Sequence, residues 1–373
     1  MKTQSMLRWV PILLAAAVGC SSSGTTVSET GAGKGSSGAS GGKPPQFVLA
    51  WSEYPSWSVF GVANEKGLLN KEAGQLGELE KKWNVDVVLN QADYDGCITQ
   101  YSNSVADAVC ITNMDILGPA GKRPAVAVMP TSTSAGADAC LAVGIADLDA
   151  LKSVDTHGLE KSVSQYCFER VLEIEGKNPK DYRFVNLDPA VAAQGMQGGQ
   201  AEMKSIMVWN PFVLDTLRKQ AKAKVLFDSS KIPEEIIDMI VLGQDSLAKP
   251  GAERFVHCIA EAFYKVSGMI DDPKTADDTL VALGKEFSNL GAEDMKIVVT
   301  QTKFYKSPAD ALALYESEKF RTKTMPAVVE FCVNHQITEK APQVSFGAGA
   351  SELLFNTELL TKMKSGVTPA DVK

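Results

Sequence analysis

Several features that mark metalloenzymes and nucleic-acid-binding proteins are scarce or missing in this sequence. Only three histidines occur, His157, His257 and His335, and no HExxH motif or Cys/His cluster offers a metal site. Lysine and arginine form no long run, and the 45 acidic residues outnumber the 37 basic ones. This charge balance argues against nucleic acid as a partner. We therefore expect the histidines to serve packing or the surface, and we expect no cofactor and no metal.

Apolar runs long enough to cross a bilayer are also missing. A short apolar run, 9–18, follows Lys2 and Arg8; Gly19 and Cys20 come directly after it, and a Ser/Gly/Thr tract continues to residue 42. This order is typical of a secretory signal. Cys20 stands directly after the expected cleavage site, which makes the segment resemble a bacterial lipoprotein signal. Ala17, three residues before Cys20, stands where leucine is usual. The resemblance implies a protein tethered to the bacterial cell envelope, in the periplasm or at the cell surface, by a lipid on Cys20.

The remaining cysteines are widely spaced, and none forms a CxxC pair. Six further cysteines in an exported protein are often paired in disulfides. The apolar residues beside several of these cysteines favour buried free thiols instead. The spacing leaves both alternatives open. The six are Cys97, Cys110, Cys140, Cys167, Cys258 and Cys332.

Apolar strands alternate with helical segments through the first two thirds of the body. The runs 47–51, 85–89 and 108–111 read as buried strands, and helices are predicted after the first two. A second set follows residue 139, with strands at 184–187 and 206–209, and the last third is mainly helical. This alternation predicts an α/β fold with mostly parallel sheets.

Three segments carry a family resemblance: 107–115 (DAVCITNMD), 178–187 (NPKDYRFVNL) and 206–212 (IMVWNPF). In this order they resemble the nitrate/sulfonate/taurine-type solute-binding proteins of ABC importers. The resemblance implies a monomeric, two-lobed carrier with two crossovers, a small-molecule ligand in the cleft, and a permease of the inner membrane as partner. It also implies the following division: signal 1–19, lipidated cysteine and linker 20–45, lobe one 46–138 plus 243–345, lobe two 139–242, and a C-terminal segment 346–373.

Candidate ligand-binding residues follow predicted strands, because ligands bind at the carboxyl ends of strands in such sheets. An aromatic and acidic loop follows the first strand, and polar residues follow three others. The candidates are Trp51, Glu53, Tyr54, Trp57, Asn113, Asp115, Thr133, Asp138, Trp209 and Asn210.

Aromatic faces beside carboxylates suit a small organic cation or an amide-like solute of the guanidine or amine class. No lysine or arginine lies in these segments, and the nearest, Lys122 and Arg123, are expected in a surface turn. The alternatives are an anion, such as a sulfonate or nitrate, held by backbone amides, a ligand-sensing subunit, and an enzyme resembling the pyrimidine synthases on this fold. We expect no enzyme activity.

Overall fold

The computed structural model describes residues 42–372, so the predicted signal, Cys20 and most of the linker lie outside the described residues. The strands, in chain order, are β1 (Gln46–Trp51), β2 (Asp86–Gln91), β3 (Ala108–Thr112), β4 (Ala125–Ser134), β5 (Asp138–Val143), β6 (Asp155–Gly158), β7 (Arg183–Asn186), β8 (Ser205–Trp209), β9 (Ala223–Asp228), β10 (Ile237–Gly243), β11 (Thr302–Phe304), β12 (Val344–Phe346) and β13 (Leu353–Phe355).

The helices surround these strands and fill most of the last third of the chain. In chain order they are α1 (Val59–Glu65), α2 (Glu78–Trp83), α3 (Tyr94–Ser102), α4 (Leu117–Ala120), α5 (Leu148–Leu151), α6 (Val163–Ile174), α7 (Pro189–Gln197), α8 (Phe212–Lys219), α9 (Gln244–Leu247), α10 (Ala252–Asp271), α11 (Ala276–Phe287), α12 (Ala292–Gln301), α13 (Pro308–Glu316), α14 (Met325–Asn334) and α15 (Thr357–Lys364). Short 3₁₀ turns lie at Pro179–Asp181 and Ser229–Lys231, and one π-helical turn, Phe320–Thr324, precedes α14.

The larger sheet has the strand order β12-β13-β4-β10-β3-β1-β2, with β11 paired to β4. Strands β1, β2 and β3 are parallel, and β10 runs antiparallel between β3 and β4. All five residues of β3 are buried. Such a continuous buried run is expected of a central strand covered on both faces, which is why its sequence shows no polar alternation.

The smaller sheet has the order β7-β6-β8-β5-β9. Strands β6, β7 and β8 are parallel, whereas β5 runs antiparallel to both β8 and β9. Within residues 42–372 the chain enters this sheet through 135–137 and returns to the larger sheet through 229–236. The predicted two-lobed α/β architecture with two crossovers is confirmed, and each sheet is mixed because β5 and β10 reverse the strand direction.

Two parts of the expected division differ from the strand pairing. Residues 139–242 are assigned to lobe two by the sequence, yet β10 pairs with β3 and β4 of the larger sheet. Residues 346–373 are expected to form a separate segment, yet β13 pairs with β4 and α15 packs against α13 and β4. Both strands are fully buried and, apart from Asp238 in β10, apolar, so each is stabilised by insertion into the larger sheet.

Helix starts agree with the local sequence signals. Oδ1 of Asp188 accepts hydrogen bonds from the backbone N–H groups of Ala190 and Val191 at 2.9 and 3.0 Å, and Pro189 occupies the first turn of α7. Ser307 caps α13 in the same way, ahead of Pro308. These caps satisfy donors that have no partner within the helix, and they fix where each helix begins.

The six cysteines of the described region are free and buried. Of the two alternatives left open by their spacing, the structure has the buried thiols. Burial raises the pKa of the Cys97, Cys140 and Cys332 thiols to about 12, so these side chains are un-ionised and unreactive at neutral pH. Among residues 42–372, no helix combines the length and the apolar character that a bilayer span requires.

Candidate ligand-binding site

A cavity of about 810 Å³ lies among the loops at the carboxyl ends of the parallel strands. The loops after β1, β2 and β3 line it from the larger sheet, and those after β6, β7 and β8 line it from the smaller sheet. Ligands of open α/β sheets bind at this edge. The volume lies within the range of ligand pockets that hold organic molecules.

The two antiparallel strands bring their first residues to the same edge. Asp138, which begins β5, pairs with Trp209 at the end of β8. Asp238, near the start of β10, pairs with Thr112 at the end of β3. An antiparallel strand starts where its parallel neighbours end, so both carboxyl groups reach the cavity although neither follows a parallel strand.

Aromatic side chains form part of the wall on both sides. On the larger-sheet side Trp57 lies between Tyr54 and Tyr94, with ring centroids 4.9 Å and 5.5 Å away. On the smaller-sheet side Trp209 and Phe212 meet edge to face at 6.0 Å. Ring faces of this kind attract cations and also pack against methylene groups.

Asp115 is held at the cavity by two hydroxyl groups. Its Oδ2 accepts hydrogen bonds from Tyr94 Oη and Thr112 Oγ1, both at 2.8 Å. Within residues 42–372 its Oδ1 receives no such bond. Burial raises the pKa of Asp115 to about 6, although these two hydrogen bonds act in the opposite direction.

Asp138 and Asp238 are buried more deeply, with 3% and 1% of their surfaces exposed. Oδ2 of Asp138 accepts a hydrogen bond from Ser134 Oγ at 2.6 Å, and Ser132 Oγ lies 2.5 Å from Oδ2 of Asp238. Burial raises the pKa of Asp138 to about 6. Burial, together with the neighbouring charges of Asp138 and Asp115, also holds the pKa of Asp238 well above its usual range.

The cavity lining carries charge of one sign. Seven acidic side chains line it, and among residues 42–372 no Lys, Arg or His does. Arg123, expected in a surface turn, is buried elsewhere: it donates to the carbonyls of Tyr101 and Ala106 and forms an ion pair with Asp245 at 3.0 Å. The seven acids are Glu53, Asp93, Asp95, Asp115, Asp138, Asp188 and Asp238.

Six of the ten residues predicted from the sequence line this cavity, and their role in binding stays a prediction. They are Glu53, Tyr54, Trp57, Asp115, Asp138 and Trp209.

The other four predicted residues lie in the protein interior. Trp51 ends β1 within the core. Asn113 donates to the carbonyl of Glu235 and accepts from Ile237 N–H. Thr133 donates to the carbonyl of Ile236, and Asn210 donates to Gln301. These three polar side chains tie down the crossovers or neighbouring helices, which is the other reading that polar residues after strands allow.

The cavity also contains residues that the sequence reasoning missed, of which Tyr94, Asp188, Phe212 and Asp238 are examples. Asp188 stands directly before Pro189, a pair that signals a helix start, and the capping role that this predicts is also present. Asp238 carried a signal: it is a lone acid within the apolar run Ile236-Ile237-Asp238-Met239-Ile240. A buried carboxyl in a strand is costly unless a partner or a function accounts for it.

Similarity to solved structures extends over most of the chain. The periplasmic aliphatic sulphonate-binding protein SsuA from Escherichia coli matches with a TM-score of 0.63 and 16% identity, covering 80% of this chain and 95% of that one. SsuA from Xanthomonas axonopodis pv. citri, bound to MOPS, matches with a TM-score of 0.60 and 14% identity, covering 81% and 96%. A putative sulfonate-binding SsuA from Methylobacillus flagellatus gives 0.62 and 14%, covering 87% and 95%.

This chain has the periplasmic solute-binding protein fold. No protein-family model and no curated protein matches its sequence. The solved neighbours are named as binding proteins for sulfonates, which are anions, and they lend no support to the cation class expected from the sequence. The lining of the cavity is therefore the observation that bears on the ligand.

Proposed function

We propose that this protein is a lipid-anchored solute-binding protein that captures a small organic cation in its cavity and delivers it to an ABC importer. The observation that carries the proposal is the lining: seven acidic side chains with no basic one among residues 42–372. An anion entering this cavity meets acidic side chains and no basic one among residues 42–372, whereas a cation finds carboxylates with which it can pair.

The aromatic wall supports the same class of ligand. Tyr54, Trp57 and Tyr94 form a contiguous ring cluster beside Asp115, and Trp209 lies beside Asp138. A guanidinium or ammonium group that touches a ring face and a carboxylate together gains both interactions in one place. Neutral amide-like solutes gain only part of this.

The anion alternative relies on backbone amides at helix starts. At this cavity two of those starts are already occupied by carboxylates: Asp93 caps α3 and Asp188 caps α7. The positive ends of these helices are thus neutralised by the chain's own side chains. This arrangement disfavours a bound sulfonate or nitrate and leaves the cation as the better-supported ligand.

Calorimetric titration of the full-length protein tests the proposal. Guanidine and n-butylamine serve as cations, nitrate serves as an anion, and taurine, a zwitterion, serves as the sulfonate probe. We expect heat of binding with at least one cation and none with nitrate. Binding of taurine or nitrate without binding of any cation would overturn the proposal and favour the anion alternative.

Lobe motion forms a second part of the proposal. We infer that the two sheets, each with its helices, move as lobes about 135–137 and 229–236. Two ion pairs connect helices of the smaller-sheet side to the larger-sheet side. Arg218 of α8 pairs with Asp294 of α12. Glu169 of α6 pairs with His335, just after α14, at 3.0 Å. Small-angle scattering with and without a bound cation tests this, and an unchanged radius of gyration contradicts it.

Attachment through Cys20 is tested separately. In a bacterium fed labelled palmitate, we expect the full-length protein to take up label and Cys20→Ser to take up none. Equal labelling of both proteins contradicts a lipid on this cysteine. The six cysteines of the described region are buried and therefore do not compete for acylation.

A further inference from the structure

The acids of the cavity lie at two depths. Asp138 and Asp238 are almost fully buried and Asp115 is half-buried, and we call these three the floor carboxylates. Glu53, Asp93, Asp95 and Asp188 are exposed, and we call these four the rim carboxylates. Both groups line the same cavity, so a ligand seated there meets negative charge at its inner end and again at its outer end.

The floor has unused capacity for a cation. Asp138 is 3% exposed, its Oδ2 is bonded to Ser134, and its Oδ1 receives no hydrogen bond from residues 42–372. Oδ1 of Asp115 likewise receives no hydrogen bond from residues 42–372. Neither Oδ1 is among the fully buried atoms that lack a partner, so each is free to accept a hydrogen bond from an ammonium group.

The size of the cavity decides against a compact ion as the whole ligand. A guanidinium ion is smaller than most side chains and would leave most of about 810 Å³ to water. A single positive charge at the floor would also leave the rim carboxylates uncompensated. An extended ligand reaches both groups, with its apolar middle against the rings of Tyr54, Trp57 and Tyr94.

We propose that the ligand carries at least two positive charges separated along its length, as a linear diamine or longer polyamine does. One ammonium group binds the floor carboxylates, a second binds the rim carboxylates, and the methylene chain packs on the aromatic wall between them. This inference rests on the proposed cation-binding function and narrows it to a class of ligand.

A matched pair of probes isolates the second charge. 1,4-Diaminobutane and n-butylamine share a four-carbon chain and differ in one ammonium group. Titrations at physiological ionic strength, where the Debye length is about 8 Å, suppress general attraction to the acidic protein. We expect diaminobutane to bind at least about tenfold more tightly, which corresponds to about 1.4 kcal/mol.

A rim variant tests where the second charge binds. The double substitution Asp93→Asn with Asp188→Asn removes two rim charges, and asparagine caps a helix as well as aspartate does. Because Glu53 and Asp95 remain, we expect the ratio of diaminobutane to butylamine affinity to fall from about ten to roughly three. Asp147→Asn is the matched control, since Asp147 is an exposed helix cap that does not line the cavity, and it should leave the ratio unchanged.

The outcomes separate this inference from the function beneath it. If the two amines bind with equal affinity, the inference that the ligand carries a second positive charge is wrong, and the proposal of cation binding is unaffected. An unchanged ratio in the rim variant overturns the placement of that charge at the rim. Binding of taurine alone, with neither amine bound, overturns both the inference and the proposed function.

Discussion

Replacing Asp138 with asparagine should make the ligand-free protein more stable while it weakens cation binding. Burial raises the pKa of this carboxyl from 3.8 to about 6, so ionising it costs more in the folded state than in the unfolded chain. A shift of about two units at 1.36 kcal/mol per unit amounts to about 3 kcal/mol at most. Asparagine removes that cost and keeps an oxygen that accepts the hydrogen bond from Ser134.

The effect has a definite dependence on pH. A carboxyl whose pKa is raised on folding stabilises the folded state below its unfolded pKa, and this stabilisation is lost as pH rises through the folded pKa. The wild-type penalty is therefore complete above about pH 7 and shrinks to less than about 1 kcal/mol at pH 4. Chemical denaturation at pH 8, 6 and 4 should show Asp138→Asn gaining about 1–3 kcal/mol at pH 8 and little at pH 4.

The same variant should bind a cation more weakly. A hydrogen bond to a charged group is worth about 2 kcal/mol, so we expect the dissociation constant to rise roughly thirtyfold. Higher stability with lower affinity cannot come from general unfolding. The control Asp147→Asn, at an exposed position outside the cavity, should change neither quantity by more than about 0.5 kcal/mol. If Asp138→Asn instead destabilises the protein at pH 8, the reasoning from burial is refuted.

Three further predictions follow from buried charges. Cation affinity should fall below pH 6 by about tenfold per unit for each carboxyl that titrates there, because Asp115 and Asp138 have pKa values of about 6; titration from pH 8 to 5 checks this, and a flat profile contradicts it. Glu80→Gln should cost about 2–3 kcal/mol of unfolding free energy, because Glu80 accepts three backbone N–H bonds at 2.6–2.7 Å and a glutamine amide brings donors to them. Arg123→Lys should cost about 2 kcal/mol, since lysine cannot hold two carbonyls and Asp245 together. Denaturation at pH 7 measures both, and a change below about 0.5 kcal/mol in either variant refutes its account.

A cavity with buried carboxylates lowers the stability of the ligand-free protein. The floor carboxylates are desolvated before any ligand arrives, and some of the stability of the chain is given up to keep them there. On the proposed function, a bound cation would return that free energy as affinity. The neighbours on this fold are named for binding sulfonates, which are anions, whereas the cavity of this chain is lined by acidic side chains.

Local sequence signals were sufficient for much of the secondary structure. The apolar runs of β1 and β3 and the cap pairs Asp188-Pro189 and Ser307-Pro308 are short-range features, and the structure has them where the sequence places them. The aromatic and acidic loop after β1 was recognisable for the same reason. Glu53, Tyr54 and Trp57 belong to one loop, and the end of the strand before them fixes which edge they reach.

Pairing between strands that are distant in sequence decided several positions that no local sequence pattern predicts. Asp238 reaches the cavity because β10 returns antiparallel to β3, and β13 joins β4 across more than 200 residues of chain. Burial of Arg123 and of the six cysteines likewise depends on neighbours that are distant in sequence. The sequence by itself determined the order of strands and helices, the helix caps and the loop after β1. Only the tertiary structure decided that seven acids, drawn from both sheets, surround one cavity, because strand register and burial are set by packing between distant segments.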